Sequence, residues 1–258
     1  MRICRKEPIC MHLAQFSRTA PDGTPQTRNI FPRPRIPESI QTGRASLEID
    51  LHIHSRYSPD SRSRVENIVR RAIQLGLGAI AVTDHDTWEG AKAAARAAPE
   101  SLLIVPGAEL KTEKGDLLAL FVEEVRDKDY PGIIDEVKSA GGISIVPHPS
   151  ASSRMTSQAI AMADAVEVYN STLSERLNSR SLRYAADLKL PGIGSSDAHM
   201  IMEIGNGRTT VPDCQSLEDL RRSLLQSPVV SRKVRSNPVL HRANEVVMFG
   251  LKGLWKRL

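Results

Sequence analysis

The first strand-like segment of the chain carries three side chains that can bind metal ions. Asp50, His52 and His54 occupy alternate positions, and because successive side chains of a strand point to opposite faces, all three are expected on one face. Two imidazoles at that spacing can chelate one ion. Histidines also occur in strands as packed or surface groups, so this segment alone leaves both interpretations open.

Four further groups of polar side chains come directly after apolar, strand-like segments. They are Thr83-Asp84-His85-Asp86, Pro106-Gly107-Ala108-Glu109, Pro147-His148-Pro149 and Ser195-Ser196-Asp197-Ala198-His199. Taken singly, each has an ordinary structural explanation, such as a helix-capping turn at Asp86 or a solvated carboxylate at Glu109. Parallel α/β sheets display catalytic groups at the carboxyl ends of their strands. The repeated placement therefore favours one shared site, whose imidazole and carboxylate ligands suit zinc, manganese or iron.

Behind these groups, short apolar segments alternate with segments of helical periodicity. The predicted strands are 47–53, 79–82, 102–105, 117–122, 143–146, 165–168 and 192–194. The predicted helices are 65–75, 89–98, 133–140, 174–188 and 239–258. Regular alternation of the two indicates a parallel sheet of βαβ units, either open or closed into a barrel.

Length and composition indicate one principal globular domain with appendages. The chain has 258 residues, of which 40% are apolar and 25% charged, as in ordinary soluble proteins. Prolines crowd residues 1–46, which predicts a mostly disordered extension. We expect the catalytic domain at 47–232 and a basic amphipathic segment at 233–258.

The net charge of +5 arises from basic residues concentrated at the two ends of the chain. RNA, an anionic membrane surface or no dedicated partner are the alternatives for these ends. Cys4, Cys10 and Cys214 cannot build a disulfide framework or a cysteine-based zinc site. No signal peptide or apolar run of about 18 residues is present. We therefore expect a cytoplasmic protein without a transmembrane segment, whose oligomeric state stays open.

In their order along residues 47–212, these motifs resemble the PHP (polymerase and histidinol phosphatase) superfamily. The matching segments are Asp50-Leu51-His52-Ile53-His54-Ser55 with Ser58-Pro59-Asp60, Thr83-Asp84-His85, Gly107-Ala108-Glu109, Pro147-His148-Pro149, and Gly194-Ser195-Ser196-Asp197-Ala198-His199 followed by Glu203-Ile204-Gly205-Asn206. The resemblance implies a distorted (β/α)7 TIM-like barrel of the PHP fold. It also implies two or three divalent metal ions at the carboxyl-terminal rim of the barrel.

The resemblance further implies three metal positions that share ligands. The first would use His52, His54, Glu109 and Asp197, the second Glu109, His148 and Asp116, and the third Asp60, His85 and His199. Asp116 stands where the family commonly has a histidine, and Asp60 where some members have one. Both replacements supply an oxygen donor in place of a nitrogen donor, but the first leaves the occupancy and the identity of the second ion open.

The implied activity is metal-dependent hydrolysis of a phosphate monoester or phosphodiester, in a nucleotide, a short oligonucleotide or a small metabolite. Coordinated water would supply hydroxide near neutral pH. Arg56, Arg154 and Arg208 lie close in sequence to ligand motifs and are candidates for clamping the phosphate, because guanidinium binds phosphate in a bidentate manner. We expect Asp84 and Asp86 to orient His85 or cap its turn rather than bind metal.

Three alternatives to this activity stay open. A histidinol-phosphatase-like activity is the first, and a non-catalytic PHP-like subunit that binds RNA or supports assembly is the second. The near-complete set of ligands argues against the second, because a protein that had lost catalysis should also have lost several of them. An amidohydrolase-like enzyme is the third, and it would place its ligands in a different strand order.

Overall fold

A computed structural model describes residues 46–212, 214, 216–226 and 228–255. The extension predicted for 1–46 lies outside the described residues except for Ser46. The strands are β1 Ser46–Ile53, β2 Ala79–Val82, β3 Leu103–Val105, β4 Gly107–Lys111, β5 Asp116–Leu120, β6 Ile143–Val146, β7 Ala165–Asn170, β8 Gly192–Ser195, β9 Gly207–Pro212 and β10 Val229–Lys233. The helices are α1 Val65–Gln74, α2 Glu89–Ala97, α3 Tyr130–Ser139, α4 Ser157–Ile160, α5 Glu175–Leu188, α6 Leu217–Gln226 and α7 Pro238–Trp255.

The strands form two mixed sheets of five strands each. Their orders are β10-β9-β1-β2-β3 and β4-β5-β6-β7-β8. In the first sheet β1, β2 and β3 are parallel, whereas β9 is antiparallel to both β1 and β10. In the second, β6, β7 and β8 are parallel, and β5 is antiparallel to its two neighbours. The α/β class is as expected, but the predicted (β/α)7 TIM-like barrel is wrong, because the sheets do not close into one barrel.

The departure from a barrel begins at Pro106. Parallel neighbours need a long crossover, usually a helix, yet only Pro106 separates β3 from β4. The chain reverses direction after β4, so β5 pairs antiparallel with β4, from Gly107 opposite Leu120 to Lys111 opposite Asp116. The sequence prediction placed 106–109 directly after a strand, but Glu109 lies within a further strand, β4.

One apolar core lies between the two sheets, and helices cover their other faces. The shared core includes Ile49 and Leu51 of β1 together with Leu118, Leu120 and Ile143 of the second sheet. A second cluster packs β1 and β2 against α1 and α2, and a third packs the second sheet against α3, α4 and α5. Each fully buried Leu or Ile contributes about 1.5–3 kcal/mol relative to an exposed position. This packing fixes the strand ends that carry the polar motifs.

Side-chain caps set several helix boundaries. Ser174 caps α5 by accepting a hydrogen bond from Leu177 N, and α5 ends at the predicted residue, Leu188. At the start of α7, Asn237 Oδ1 accepts from Val239 N at 3.0 Å and from Leu240 N at 3.3 Å. Within the described part of the chain, no helix has both the length and the apolar content to cross a membrane.

Candidate metal centre

Four ligand atoms meet at the buried centre of the site. His52 Nε2 and His54 Nε2 lie 3.1 Å apart. Glu109 Oε2 lies 3.4 Å and 3.3 Å from these two nitrogens, and Asp197 Oδ1 lies 3.4 Å and 3.2 Å from them. Ligands at about 2.0–2.1 Å from a tetrahedral zinc ion are separated by about 3.4 Å. We call these four atoms the inner quartet: five of their mutual distances are 3.1–3.4 Å, close to the spacing of ligands around one metal ion, and His52, His54 and Asp197 form one compact ligand group.

The inner quartet is poorly satisfied by hydrogen bonds alone. Two facing imidazole nitrogens need a proton between them, and Glu109 Oε2 has no hydrogen-bond partner among the described residues. Buried polar atoms are nearly always paired, because an unpaired one costs about 1–3 kcal/mol. A cation placed among His52, His54 and Glu109 would remove this cost, so the residues fit a metal ion.

A second group lies on the solvent side of His54. His54, Asp60, His85 and His199 each offer a ligand atom within 4.8 Å of the others, and we call them the outer cluster. His85 Nε2 lies 3.0 Å from Asp60 Oδ2, and His199 Nε2 lies 3.6 Å from the same oxygen. Asp60 Oδ1 and His85 Nδ1 are buried and lack hydrogen-bond partners in the described structure. The outer cluster therefore also has the donors for a cation.

A third group consists of His52, Glu109 and His148, in which His148 Nε2 lies 3.1 Å from Glu109 Oε1. Asp116 belongs to none of the three groups that the described residues form. It is half-buried at the start of β5, where burial, and then the charge of Glu109, raise the pKa of its carboxyl. The structure thus brings eight of the nine predicted ligands together and leaves Asp116 beside them.

The chain reaches this geometry through two unusual backbone conformations. His148 has φ 33° and Asp197 has φ 51°, in the left-handed region that non-glycine residues seldom adopt. Such conformations cost of order 1–3 kcal/mol and concentrate at functional sites. Each follows a strand of the second sheet, β6 or β8, and turns its side chain toward the site.

Two residues of β7 that the sequence prediction did not include hold the ligands in place. Glu167 Oε1 lies 3.1 Å from His52 Nδ1, and Glu167 Oε2 accepts from His148 N at 2.8 Å. Asn170 Nδ2 donates to Glu167 Oε2 at 2.8 Å and to Asp197 Oδ2 at 3.0 Å. A buried glutamate in an otherwise apolar strand was the signal available in the sequence. These contacts fix the orientation of the ligand side chains.

Asp50 and Asp84 have supporting positions. Asp50 is buried and accepts from Ser196 N at 3.0 Å and from Gly205 N at 2.8 Å, so it ties β1 to the loop that carries Asp197. Burial raises the pKa of Asp50 to about 6 even though these hydrogen bonds lower it. Asp84 accepts from both the backbone N and the Oγ of Ser55 at 2.6 Å.

The electrostatics of the site are dominated by pairing between imidazoles and carboxylates. Burial disfavours the charged form of His148 and of His199, but pairing with the carboxylates of Glu109 and Asp60, respectively, outweighs it and raises both pKa values to about 9. Burial would raise the pKa of Glu109, but the charge of His52 and the hydrogen bond with His148 hold it well below its usual value. The carboxylates therefore stay ionised, and a bound cation could take the place of the protons on the imidazoles that pair with them.

Comparison with known proteins identifies the family. Residues 50–173 match the model of the PHP domain, and residues 175–227 match the PHP-associated model. An uncharacterized protein of Methanocaldococcus jannaschii is 33% identical over 116 residues, which cover 40% of this chain and 68% of the relative. The chain belongs to the PHP family. The resemblance that the sequence motifs indicated is thereby confirmed.

Solved structures share the PHP fold of this chain. A two-domain protein from Bacteroides vulgatus, described as containing a predicted PHP-like metal-dependent phosphoesterase, has a TM-score of 0.63 and 22% identity, covering 85% of this chain and 74% of its own. A lesion-specific endonuclease from Pyrococcus furiosus has a TM-score of 0.53 and 15% identity, covering 75% of this chain and 60% of its own. At these identities the similarity establishes the fold alone.

The three arginines that the sequence offered as phosphate clamps have different surroundings. Arg154 is exposed, and its backbone N donates to Ser152 Oγ at 3.2 Å. Arg208 is buried against Glu48 Oε2 at 2.6 Å and Gly205 O at 2.9 Å, so its guanidinium is not available as a phosphate clamp. Arg56 is exposed and lies over the ring of Tyr57 at 5.5 Å.

Lys111 is a cation near the PHP site that the sequence prediction did not include. It is exposed at the end of β4, two residues from Glu109 and therefore on the same face of the strand. Its charge opposes protonation of His85 and favours ionisation of Asp116. Lys111 is thus within electrostatic range of the ligand groups.

Proposed function

We propose that this PHP protein is a metal-dependent phosphoesterase that hydrolyses a phosphate monoester or phosphodiester. The observation that carries the proposal is the convergence of the inner quartet, in which Glu109 Oε2 and Asp197 Oδ1 each lie 3.2–3.4 Å from the Nε2 atoms of His52 and His54, and Glu109 Oε2 has no hydrogen-bond partner among the described residues. The proposed catalytic unit is 47–232. The substrate class is a nucleotide, a short oligonucleotide or a small phosphorylated metabolite.

In this proposal the ligand residues hold two or three divalent ions, zinc, manganese or iron. Bound ions would supply positive charge for the phosphoryl oxygens and lower the pKa of water toward neutrality. The inner quartet would hold one ion, and Glu109 would extend to two others through His148 and the outer cluster. Asp116, whose carboxyl interacts electrostatically with Glu109 and His148, is proposed to complete the site beside His148.

The remaining residues keep the ligands in the required protonation state and orientation. A proton on His52 Nδ1 is donated to Glu167 Oε1 at 3.1 Å, which leaves the lone pair of Nε2 directed into the site. Ser58 Oγ lies 3.0 Å from His54 Nδ1 and does the same for that ring. Lys111 is proposed to attract the phosphate, the role for which the sequence offered Arg56, Arg154 and Arg208 as candidates.

The test is turnover of p-nitrophenyl phosphate and its bis-ester with manganese, zinc or ferrous ions. We expect metal-dependent hydrolysis of at least one ester. Glu109→Gln should lower kcat/KM by more than about 100-fold, because it removes a charged metal ligand. Loss of a residue that only orients a ligand already lowers metal affinity or activity by about 10–100-fold. Glu100→Gln, at an exposed position, is the matched control and should keep full activity.

Elemental analysis of the purified protein accompanies the kinetic test. The proposal is wrong if the protein holds no transition metal and turns over neither ester with any of these ions. It is also wrong if Glu109→Gln and Glu100→Gln are equally active.

A further inference from the structure

The C-terminal segment of the chain contacts the outer cluster, although both family matches end before it, at 173 and 227. We propose that His241 and Asn244 of α7 are positioning residues, which hold His199 and Asp60 so that the outer cluster retains its metal ion. This inference rests on the proposed function for the role of that ion. It adds 234–244 to the catalytic unit.

His241 acts through a buried carboxylate. His241 Nδ1 lies 2.9 Å from Glu203 Oε1, and Glu203 is only 2% exposed. The other oxygen of Glu203 accepts from His199 N at 2.9 Å and from Met200 N at 3.0 Å. The imidazoles of His241 and His199 also meet edge to face, with ring centroids 5.4 Å apart. His241 therefore fixes both the backbone and the ring of an outer ligand.

Asn244 reaches the second outer ligand from the same face of the helix. Residues three apart in a helix lie on one side of it, and Asn244 Nδ2 donates to Asp60 O at 3.1 Å. Asp60 and His199 come from distant parts of the chain, and Asp60 Oδ2 faces His199 Nε2 at 3.6 Å. One turn of α7 thus contacts both sides of the outer cluster, the backbone of Asp60 directly and the backbone of His199 through Glu203.

The segment before α7 is anchored at the same rim. Val234 N donates to Asn206 O at 2.9 Å, and Ser236 N donates to Ser171 O at 2.8 Å. The hydroxyls of Ser236 and Ser171 are 2.8 Å apart, and Ser171 Oγ donates to Ser196 O at 2.5 Å. These contacts join the segment to the loop that carries Asp197 and His199.

The described side-chain hydrogen bonds that tie α7 to the domain are polar contacts of His241 and Asn244. Val239, Val246 and Val247 of α7 are 73%, 60% and 52% exposed, so burial of these side chains does not hold the helix against the domain. The described contacts instead go to Glu203 and to the backbone of Asp60. Loss of either described contact is therefore expected to act mainly on the ligands Asp60 and His199, to which these contacts lead.

The experiment titrates chelator-treated full-length protein with manganese ions alone, by isothermal titration calorimetry, and measures ions bound per chain. His241→Ala and Asn244→Ala should each weaken the most weakly bound ion by about tenfold, the lower end of the effect of losing a ligand-orienting contact. Ser61 Oγ also donates a hydrogen bond to His199 O at 2.8 Å, so complete loss of the weakly bound ion is not expected. The tighter binding steps should not change.

Two variants separate positioning from general destabilisation. His241→Asn keeps an N–H donor near the place of Nδ1 and should restore most of the affinity that His241→Ala loses. Val246→Ala, on an exposed part of the same helix, should bind manganese like the unmodified protein. The melting temperature of the metal-free variants should stay close to that of the unmodified protein.

The inference is overturned if the His241→Ala/Asn244→Ala double variant binds every ion with unchanged affinity, or if His241→Asn is as impaired as His241→Ala. Because the readout is ion binding and not hydrolysis, this inference and the proposed function can be tested independently. A protein that binds manganese in an α7-dependent way but hydrolyses no ester overturns the proposed function alone. An active enzyme whose ions are insensitive to α7 overturns this inference alone, and a protein that binds no ion overturns both.

Discussion

Glu109 connects the three groups of candidate ligands through its two oxygens. Oε1 lies 3.1 Å from His148, and Oε2 lies 3.1 Å from His85, 3.3 Å from His54 and 3.4 Å from His52. A single imidazole has no such reach, because its two nitrogens point away from each other. A carboxylate at this position therefore lets neighbouring ions share a ligand.

The sequence predicted the ligands far better than the residues that hold them. His52, His54, Glu109 and Asp197 occur in recognisable motifs next to apolar segments. Glu167 has no such motif, and its contact with His52 depends on β1 and β7, which lie in different sheets. Spacing along the chain carries no information about that contact, so only the folded structure could show it.

Glu167→Gln tests this supporting role. Glutamine replaces one acceptor oxygen by a donor, although Glu167 faces the donors His52 Nδ1, His148 N and Asn170 Nδ2. We expect metal affinity to fall by about 10–100-fold, measured by competition with a metal-chelating dye. Glu175→Gln, which alters an exposed residue near the start of α5, is the control. Equal affinities of the two variants would contradict the role of Glu167.

At the scale of elements, alternating strands and helices could be predicted but their pairing direction could not. Hydrophobic periodicity reports which residues of a segment are buried, and it located β1, β2, β6 and β7 well. It does not report whether neighbours run parallel. The β4–β5 hairpin was missed for that reason, since β4 is only five residues long and follows β3 after Pro106.

The contact between α2 and the loop after β1 makes a prediction at this scale. A Cβ on Gly90 would lie 1.8 Å from Asp84 Oδ2 and 2.8 Å from Ser55 Oγ, and Asp84 cannot move away without losing both hydrogen bonds to Ser55. Gly90→Ala gains about 1 kcal/mol of helix propensity, but overpacking costs about 1–3 kcal/mol. We expect net destabilisation in urea unfolding.

The control for Gly90→Ala is Glu89→Ala, which alters the exposed neighbouring position of α2. Its free energy of unfolding should stay within about 0.5 kcal/mol of the unmodified protein. A Gly90→Ala variant at least as stable as the unmodified protein would show that the close approach of α2 to Asp84 is not needed for folding.

At the scale of the whole molecule, the candidate metal centre joins the two sheets. His52 belongs to β1 in the first sheet, and His85 follows β2. Glu109, His148 and Asp197 come from or follow strands of the second sheet. Ions held by these residues would link the sheets at the rim, where the apolar core between them ends. Bound metal should therefore contribute to global stability.

The pH dependence of that contribution follows from the raised pKa values of His148 and His199, both about 9 against an ordinary value of 6.5. In the metal-free protein, their pairing with carboxylates stabilises the fold fully below pH 6.5 and is lost as the pH rises through about 9. Metal ions bind only the unprotonated imidazoles of His148 and His199. The stabilisation of the fold by bound metal therefore grows as the pH rises from 6.5 to about 9. The melting temperatures of metal-loaded and metal-free protein should diverge.

Differential scanning fluorimetry at a series of pH values measures this divergence. An ion at 100 times its dissociation constant adds about 2.7 kcal/mol, which for a domain of this size raises the melting temperature by roughly 5–10 °C. Glu109→Gln removes the carboxylate that pairs with His148. The melting temperatures of the metal-loaded and metal-free variant should therefore stay closer together at every pH. A gap that is constant or narrows as the pH rises would contradict the predicted competition between protons and metal.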